Sequence, residues 1–438
     1  MKHFLLLCNR PARGTNADTI SEHIDSLMQL PGWKTFELSM ISDIPETIDL
    51  SRFEAIGIHY TLHLSDPDYH YLSKGSIKAL SNFRGLKCVW MHDEYRRVKK
   101  VAETLNIIGV DIIFSLTSTP TLEVLYPKDI LPRTTLKTVF AGYVSNKLSV
   151  QETTSISSRP IDVSYRTRRP PYWLGFLGQE KIEIGQNFKK HPLSKTLKLD
   201  ISVEEYDRVY GEEWLNLLSK SKAVLCVESG SSVIDFSGSV ETEVEKFCKN
   251  NKNATFNEIS KSYLTGIDGK YLINTISPRV FEAAAMKTVI IAFVGKYSGV
   301  IEPWVHYIPL EKDFSNMFKV TETIRNLDLM EKLAERTKKD LVESKNYSYE
   351  SFSTFCGQIL SQEFHARKLL LRQNYYTETS FTKDLLLSPK HIAHKYVASF
   401  LQKILLGSVF RGYMFRIWFK SPPSLRKLIK PILKVFGR

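Results

Sequence analysis

Cysteine is scarce in this sequence, and a hydrophobic run long enough to cross a membrane is missing. The five cysteines lie far apart, without a C-x-x-C pair or a histidine cluster: Cys8, Cys88, Cys226, Cys248 and Cys356. This spacing argues against a disulfide scaffold, and it predicts a reducing compartment and no structural metal. The apolar start, Met1–Cys8, is too short for a signal peptide and predicts a buried first strand instead. We therefore expect a cytoplasmic protein.

Acidic residues are absent from the end of the chain. Of the 60 lysines and arginines, eleven lie between Leu385 and Arg438, where no acid occurs, which leaves 49 basic residues against 47 acidic ones in the rest. In Ser424–Arg438 the apolar residues recur at helical spacing and the basic residues take the other face. We predict that residues 389–438 form a basic amphipathic helical tail and that residues 390–438 bind an anionic membrane surface. A helix docked on the protein's own body is the alternative.

The body has the composition of a globular protein with two or three domains, since 43% of its 438 residues are apolar and 24% are charged. In the first 150 residues, short apolar runs alternate with stretches of helical periodicity such as Ala17–Leu30. The expected strands are His3–Cys8, Ala55–His59, Leu86–Met91, Asp111–Ser115 and Thr138–Phe140. This alternation predicts a parallel sheet that is covered by helices on both faces.

The alternation restarts after a polar linker at Gln151–Arg159. The expected strands are Ile161–Tyr165, Lys222–Val227, Val289–Phe293 and Tyr307–Pro309, and the expected helices are Ser202–Ser219, Ser277–Met286 and Met317–Lys345. The predicted fold class is α/β, with two doubly wound, Rossmann-like domains that face a cleft. The boundaries are residues 1–150, residues 160–350, and residues 351–388 for a helical return segment. Ligands of such sheets bind at the carboxyl ends of the strands.

Three residues with useful chemistry follow a strand of the first domain. His92, Asp93 and Glu94 come directly after Leu86–Met91. A histidine followed by two carboxylates can orient a hydroxyl group or hold a proton, so these are the candidate catalytic residues. A surface charge network is the alternative.

Charged and small residues follow two strands of the second domain. Arg166 and Arg168 come after the first strand, and Lys181 follows a glycine-containing turn. Arginine forks and a lysine at a strand end suit a diphosphate. Glu228 and Ser229 follow the next strand, where small residues allow backbone N–H groups to approach a ligand. Ordinary surface loops are the alternative at both places.

The most specific segment lies between residues 276 and 299. Ser277 suits an N-cap and Pro278 suits the first helical position, so a short alanine-rich helix is expected here. The strand after it ends in the loop Gly-Lys-Tyr-Ser-Gly. The candidate donor contacts in the helix and the loop are Arg279, Glu282, Tyr297, Ser298 and Gly299.

These residues resemble the GT-B glycosyltransferases (group 1, family 4-like), which use nucleotide sugars without a metal. In that family a glutamate near the start of a short helix binds the nucleotide ribose, and Glu282 matches it. A glycine-containing loop contacts the donor phosphate or sugar, and Gly295–Gly299 matches that loop. The cation pair that holds the diphosphate resembles Arg166 or Arg168 with Lys181. His92 and Asp93 resemble the strand-end His-Asp pair that lies beside the reacting sugar in that family.

The resemblance implies an enzyme that moves a sugar from a nucleotide sugar to a glycan or lipid-linked acceptor, in bacterial surface-polysaccharide synthesis on the inner face of the plasma membrane. It implies no cofactor and no metal. We expect no nucleic-acid partner, because the basic tail lacks a base-reading motif. The family's second glutamate is replaced by Asn274, and the long insertion Val233–Tyr271 follows Glu228. A non-catalytic scaffold protein and a sugar-nucleotide epimerase of the same fold remain alternatives.

One D-x-D sequence, Asp66-Pro67-Asp68, has the carboxylate spacing of metal-dependent transferases. Pro67 suits the first position of a helix and Asp66 suits its N-cap. We therefore expect a helix start at this segment and no metal site.

Overall fold

The computed structural model of the protein describes residues 1–11, 17–389 and 391–392. In this part of the chain, two parallel sheets form the centres of two domains, and helices cover both faces of each sheet. The α/β fold class with two doubly wound domains is therefore confirmed. The tail predicted for residues 389–438 lies almost wholly outside the described residues.

The first sheet has six strands within the described residues, in the order β2-β1-β3-β4-β5-β6. The strands are β1 (Lys2–Cys8), β2 (Trp33–Ser39), β3 (Ala55–Ile58), β4 (Leu86–Trp90), β5 (Ile112–Ser115) and β6 (Thr135–Thr138). The helices are α1 (Asp18–Leu27), α2 (Lys74–Asn82), α3 (Val98–Ile108), α4 (Thr121–Leu125) and α5 (Asn146–Ser149). Leu5 pairs with Phe36 on one side and Ile56 on the other, so β1 occupies the interior of the sheet.

The second sheet has five described strands in the order β13-β12-β9-β7-β8, beside an antiparallel ribbon of β10 and β11. The strands are β7 (Ile161–Arg166), β8 (Leu199–Ser202), β9 (Ser221–Cys226), β10 (Ser229–Ser231), β11 (Ile273–Thr275), β12 (Val289–Phe293) and β13 (Tyr307–Leu310). The helices are α6 (Gly175–Lys190), α7 (Gly211–Ser219), α8 (Ser239–Asn250), α9 (Phe256–Ile259), α10 (Pro278–Ala285), α11 (Met317–Arg325) and α12 (Leu327–Lys338). This strand order places a topological switch point, where ligands of such sheets bind, between β7 and β9.

The chain returns to the first domain after the second sheet. Helix α13 (Tyr349–Ala366) packs its buried side chains, among them Leu360, with Phe4 of β1. Helix α14 (Glu378–Leu386) covers the other face of the same sheet, where the Phe381 ring lies 5.0 Å from the Phe36 ring. No helix in the described ranges is long and apolar enough to span a membrane.

Several elements differ from the sequence-based expectation. Strand β2 was not expected, because it is an edge strand in which only Trp33, Phe36 and Leu38 are buried. Strand β6 ends at Thr138, where the prediction has it begin. The helix expected from Ser202 begins only at Gly211, since Ser202 belongs to β8.

Two helices also differ in extent. The glycine-containing turn expected before Lys181 is the first part of α6, so Lys181 lies within a helix. The continuous helix expected over Met317–Lys345 is interrupted at Asn326, whose side chain accepts a hydrogen bond from the Leu329 N–H and thereby starts α12. The side-chain oxygen of an asparagine offers the backbone this alternative partner, which helical periodicity does not reveal.

Residues 233–271 form an insertion between β10 and β11 that contacts both domains. Its helices α8 and α9 build a small core with Trp173 and Leu174 of the second domain. At its two ends, Ile234 and Tyr271 pack with the core of the first domain.

Candidate functional site

The residues that follow β4 meet side chains of the second domain in the space between the domains. His92 and Asp93 come directly after β4, and Lys181 projects from α6. Lys181 is close enough to lower the pKa of His92, and Asp93 is close enough to raise the pKa of Lys181. The two sheets therefore bring together groups that are about 90 residues apart in the chain.

His92 and Asp93 form a pair whose charges support each other. The His92 Nδ1 lies 3.1 Å from the Asp93 Oδ1, and the Tyr95 hydroxyl donates a hydrogen bond of 2.7 Å to the same oxygen. Desolvation in the cleft lowers the pKa of His92, but the Asp93 carboxylate outweighs it and the net pKa is raised. Desolvation likewise raises the pKa of Asp93, while His92 and Tyr95 outweigh it and hold that pKa well below the usual range.

Glu94, the third predicted catalytic residue, is buried and fully hydrogen-bonded. Its carboxylate accepts hydrogen bonds from the Ser115 hydroxyl at 2.6 Å, the Leu116 N–H at 2.8 Å and the Tyr126 hydroxyl at 2.7 Å. Burial raises the pKa of Glu94, and these hydrogen bonds oppose the rise. The contacts hold together the loops that follow β4 and β5.

Three cations of the second domain lie close enough to one another for Arg279 and Arg168 to lower the pKa of Lys181. In the part of the chain that the structure describes, the charged groups of Arg168, Lys181 and Arg279 have no ion-pair or side-chain hydrogen-bond partner. Burial lowers the pKa of Lys181 to about 8, and Arg279 and Arg168 add to this effect through charge repulsion. Asp93 and Glu282 lie near Lys181 and Arg279 but form no salt bridge with them, so the cations keep hydrogen-bond donors free for a bound anion.

Arg166 differs from these three residues because it has a partner. Its Nη2 donates to the Asp200 carboxylate at 2.6 Å, and its Nη1 donates to the Asp200 carbonyl oxygen at 2.7 Å. Of the two predicted arginines, Arg168 is the one whose guanidinium is unpaired in this structure.

A cavity of about 230 Å³ lies beside Arg279 and extends between the domains. Glu282 and Trp214 line it from the second domain, and Asp18 and Glu22 of α1 line it from the first. The Trp214 Nε1–H donates a hydrogen bond of 2.6 Å to the Glu282 Oε2, and the Arg279 guanidinium lies 5.1 Å from the centre of the Trp214 ring. Burial raises the pKa of Glu282, while Trp214 and Arg279 lower it in part.

Glu228 anchors the predicted glycine loop. Its carboxylate accepts hydrogen bonds from the Tyr297 N–H at 2.8 Å and from the Asn274 Nδ2 at 3.2 Å. A Cβ at Gly295 would lie only 2.8 Å from a Glu228 oxygen, so the loop backbone approaches this carboxylate closely. Asn274, which the resemblance aligns with a second glutamate, therefore contacts Glu228.

The other residues predicted to contact the donor are held by hydrogen bonds within the protein. Ser229 pairs with Thr275 in the ribbon of β10 and β11, and the buried Tyr297 hydroxyl donates to the Phe293 carbonyl oxygen. Ser298 and Gly299 both have positive φ, and the Ser298 hydroxyl accepts from the Ile276 N–H at 3.1 Å. These contacts set the shape of the loop beside the cleft.

The start of α6 lies beside Ser232, and two of its backbone N–H groups have protein partners. At the start of α6, the Phe176 N–H donates to the Asp268 carboxylate at 3.1 Å and the Leu177 N–H donates to the Ser232 hydroxyl at 3.1 Å. Protein groups thus occupy two of the free donors at this helix end.

Sequence reasoning missed four residues that contribute to the two pockets. Trp214 and Glu22 line the larger cavity, and His59 and His63 line a smaller one of about 60 Å³ beside His92. His59 follows β3 directly, so its position after a strand was an available signal. Trp214 and Glu22 lie within helices, where periodicity alone does not separate a core position from a cavity wall.

The D-x-D segment does not begin a helix as predicted. The Asp66 carboxylate accepts a hydrogen bond of 2.6 Å from the His70 N–H and closes a turn. The side chains of Asp66, Asp68 and His70 lie within 4.8 Å of one another. Two of these three residues are exposed, as is common for surface acids without an ion.

Comparison with known proteins gives similarity at the level of the fold. No family model matches the chain, and no curated protein matches its sequence. An α-glucosyltransferase in complex with UDP is 13% identical with a TM-score of 0.48, and the match covers 82% of this chain and 100% of that chain. An α-glucosyltransferase in complex with UDP-glucose and DNA containing an abasic site is 13% identical with a TM-score of 0.48, and the match covers 82% of this chain and 99% of that chain. T4 phage BGT with its UDP-glucose substrate gives 10% identity and a TM-score of 0.45, over 84% and 98%.

These comparisons correct one expectation. The exclusion of a nucleic-acid partner is wrong, because α-glucosyltransferases with the same general fold are found in complex with DNA. The similarities concern the fold, and these neighbours are glucosyltransferases in complex with UDP or UDP-glucose.

Proposed function

We propose that this chain is a glycosyltransferase that moves a sugar from a nucleotide-sugar donor to an acceptor bound beside the first domain. The observation that carries the proposal is the group of Arg168, Lys181 and Arg279, which form no salt bridge within the described residues and of which Lys181 lies near the His92–Asp93 pair. A nucleoside diphosphate supplies the negative charge that these cations lack, and the adjoining cavity with Trp214 has room for part of a nucleoside.

The same groups account for the chemistry of transfer. When the bond between the sugar and the diphosphate breaks, negative charge grows on the leaving diphosphate, and the fixed cations stabilise that charge in a desolvated cleft. On the opposite side, neutral His92 accepts the proton of the acceptor hydroxyl, and Asp93 stabilises the imidazolium that forms. The new glycosidic bond joins the acceptor oxygen to the sugar carbon, and the nucleoside diphosphate leaves.

The proposed reaction uses no metal and no cofactor beyond the nucleotide sugar. The cations take the part that a divalent ion has in metal-dependent transferases. We expect transfer to be unchanged in the presence of a chelator such as EDTA.

We further propose a glycan or lipid-linked acceptor in surface-polysaccharide synthesis at the cytoplasmic face of the membrane. Eleven cations without an acid between Leu385 and Arg438 suit an anionic lipid surface. The five cysteines are free thiols, which suits a reducing compartment. An acceptor panel should include glycans, polyprenyl-phosphate-linked sugars and duplex DNA.

Calorimetric titration with UDP, GDP and dTDP, followed by assays of diphosphate release from the matching sugar nucleotides, tests the proposal. Arg279→Ala and Glu282→Ala should weaken nucleotide binding, and the exposed Arg84→Ala should serve as an unaffected control. Absence of binding to every nucleotide would favour a scaffold protein. Conversion of the donor into an isomeric sugar nucleotide without acceptor would favour an epimerase.

A further inference from the structure

The insertion at residues 233–271 contacts both halves of the candidate site. On the donor side, Asp268 accepts the hydrogen bond from the Phe176 N–H at the start of α6, the helix that carries Lys181. On the other side, Asp235 exchanges backbone hydrogen bonds with the segment after His92: the Asp235 N–H donates to the Tyr95 carbonyl oxygen at 2.9 Å. The insertion therefore contacts both the helix that carries Lys181 and the turn that follows His92 and Asp93.

A buried carboxylate provides the strongest contact between the insertion and the first domain. The side chain of Glu241 is only 7% exposed and bridges Arg96 and Arg97. Arg96 contacts both carboxylate oxygens, and the Arg97 Nη1 lies 2.9 Å from the Oε2. The Asp235 carboxylate accepts the Glu241 N–H at 2.9 Å and fixes the start of α8, which carries this glutamate. A buried, bidentate and doubly paired carboxylate has little freedom to move.

The turn that Glu241 holds has an unusual backbone. Asp93 and Arg97 both have positive φ, at 53° and 48°, although neither is glycine. Such conformations persist where surrounding contacts determine them. Between these two residues, Tyr95 donates its hydroxyl hydrogen bond to Asp93 and packs its ring 5.8 Å from Trp173, a member of the insertion's core.

We propose that residues 233–271 are a positioning element, and that Glu241 and Tyr95 are positioning residues that hold Asp93 in its orientation toward His92 and the cleft. Glu241 holds the end of the turn through Arg96 and Arg97. Tyr95, the residue before them, donates the hydrogen bond that holds the Asp93 carboxylate. The inference rests on the proposed function of the His92–Asp93 pair. In this proposal, an insertion of the second domain helps to orient the residues of the first domain that act on the acceptor hydroxyl.

The test uses the full chain and compares Tyr95→Phe and Glu241→Gln with matched controls on exposed residues, Tyr206→Phe and Glu243→Gln. UDP affinity is measured by calorimetry, and kcat is measured with UDP-glucose or with the sugar nucleotide that the panel identifies. Tyr95→Phe should lower kcat by about tenfold to a hundredfold, since a misplaced reacting group has effects of this size, while UDP affinity stays within about twofold. A variant that merely loosens the fold would lower both quantities.

Glu241→Gln has a second measurement in case its activity is too low to quantify. The N–H groups of Val98 and Lys99 donate to the carbonyl oxygens of Asp235 and Phe236, so their hydrogen exchange reports on the contact. Glu241→Gln should speed exchange in this segment, and Glu243→Gln should not.

The outcomes separate the two proposals. If the wild-type protein binds UDP and transfers sugar, and Tyr95→Phe and Glu241→Gln match their controls in kcat, the positioning role is overturned and the proposed function stands. If no sugar nucleotide binds or reacts, both proposals fail. A fall in kcat at constant affinity, with faster exchange in the Glu241 variant, supports the positioning role.

Discussion

The indole N–H of Trp214 donates a 2.6 Å hydrogen bond to the carboxylate of Glu282, and this contact orients the acid in the cavity of about 230 Å³ between the domains. Hydrogen bonds to charged groups contribute about 1.5–3 kcal/mol. The pair therefore sets how Glu282 presents its second oxygen to a ligand, which in the proposed function is the nucleotide ribose.

Trp214→Phe should lower the affinity for UDP by about tenfold, or about 1.4 kcal/mol, because an aromatic ring is kept, though a smaller one, while the N–H that orients Glu282 is lost. Calorimetry measures the change, and Trp304→Phe, which alters a partly exposed tryptophan elsewhere, is the matched control. Unchanged affinity in both Trp214→Phe and Glu282→Gln would contradict the assignment of this cavity to the nucleoside.

Nucleotide affinity should fall at alkaline pH because of Lys181. Its pKa is lowered to about 8, so the free protein loses this positive charge as the pH rises through that value. Between pH 7 and pH 9, we expect UDP affinity to fall by about tenfold, in proportion to the charged fraction of a group with this pKa. Lys181→Arg keeps its charge over this range and should lose most of the pH dependence. An equal decline in both proteins would assign the effect to another group.

Activity should fall at acidic pH because of His92. Asp93 raises the pKa of this imidazole, so the neutral form required for proton acceptance is lost as the pH falls through a value above 6.5. Besides Asp93, Glu94 raises this pKa, while desolvation and Lys181 lower it. Asp93→Asn removes the largest raising influence, so the acid limb of kcat/KM should move to lower pH as kcat falls. An acid limb that stays in place in Asp93→Asn would argue against His92 as the proton acceptor.

Binding to anionic vesicles should depend on the basic tail. Replacing Arg426, Lys427, Lys430 and Lys434 by glutamine removes four of the eleven cations between Leu385 and Arg438. At about 1 kcal/mol for each basic residue near an anionic surface, sedimentation with phosphatidylglycerol vesicles should fall by at least a hundredfold in apparent affinity. Phosphatidylcholine vesicles and UDP binding are the controls. Vesicle binding equal to that of the wild type would remove the support for a membrane-bound tail.

The pattern of short apolar runs was sufficient to predict the two parallel sheets. Buried parallel strands are nearly continuous in apolar residues, so β1, β4, β9 and β12 are visible in the sequence within one or two residues of their ends. The start of α10 was equally visible, because Ser277 and Pro278 are local signals for a helix start. Edge strand β2, in which four of seven residues are not buried, lacked such a signal.

The fold class, the positions of most strand ends and the chemical types of residue that follow them can be predicted without a structure, because periodicity and capping act over a few residues. Which charges are paired depends on how the elements pack against one another. Arg166 forms a salt bridge with Asp200, 34 residues away, whereas Arg168 and Arg279 form none within the described residues, and nothing local distinguishes them. The same packing brings Glu241 of the insertion to Arg96 and Arg97, about 145 residues away in the chain. Contacts of this kind depend on how separate elements pack, and no short-range pattern encodes that packing.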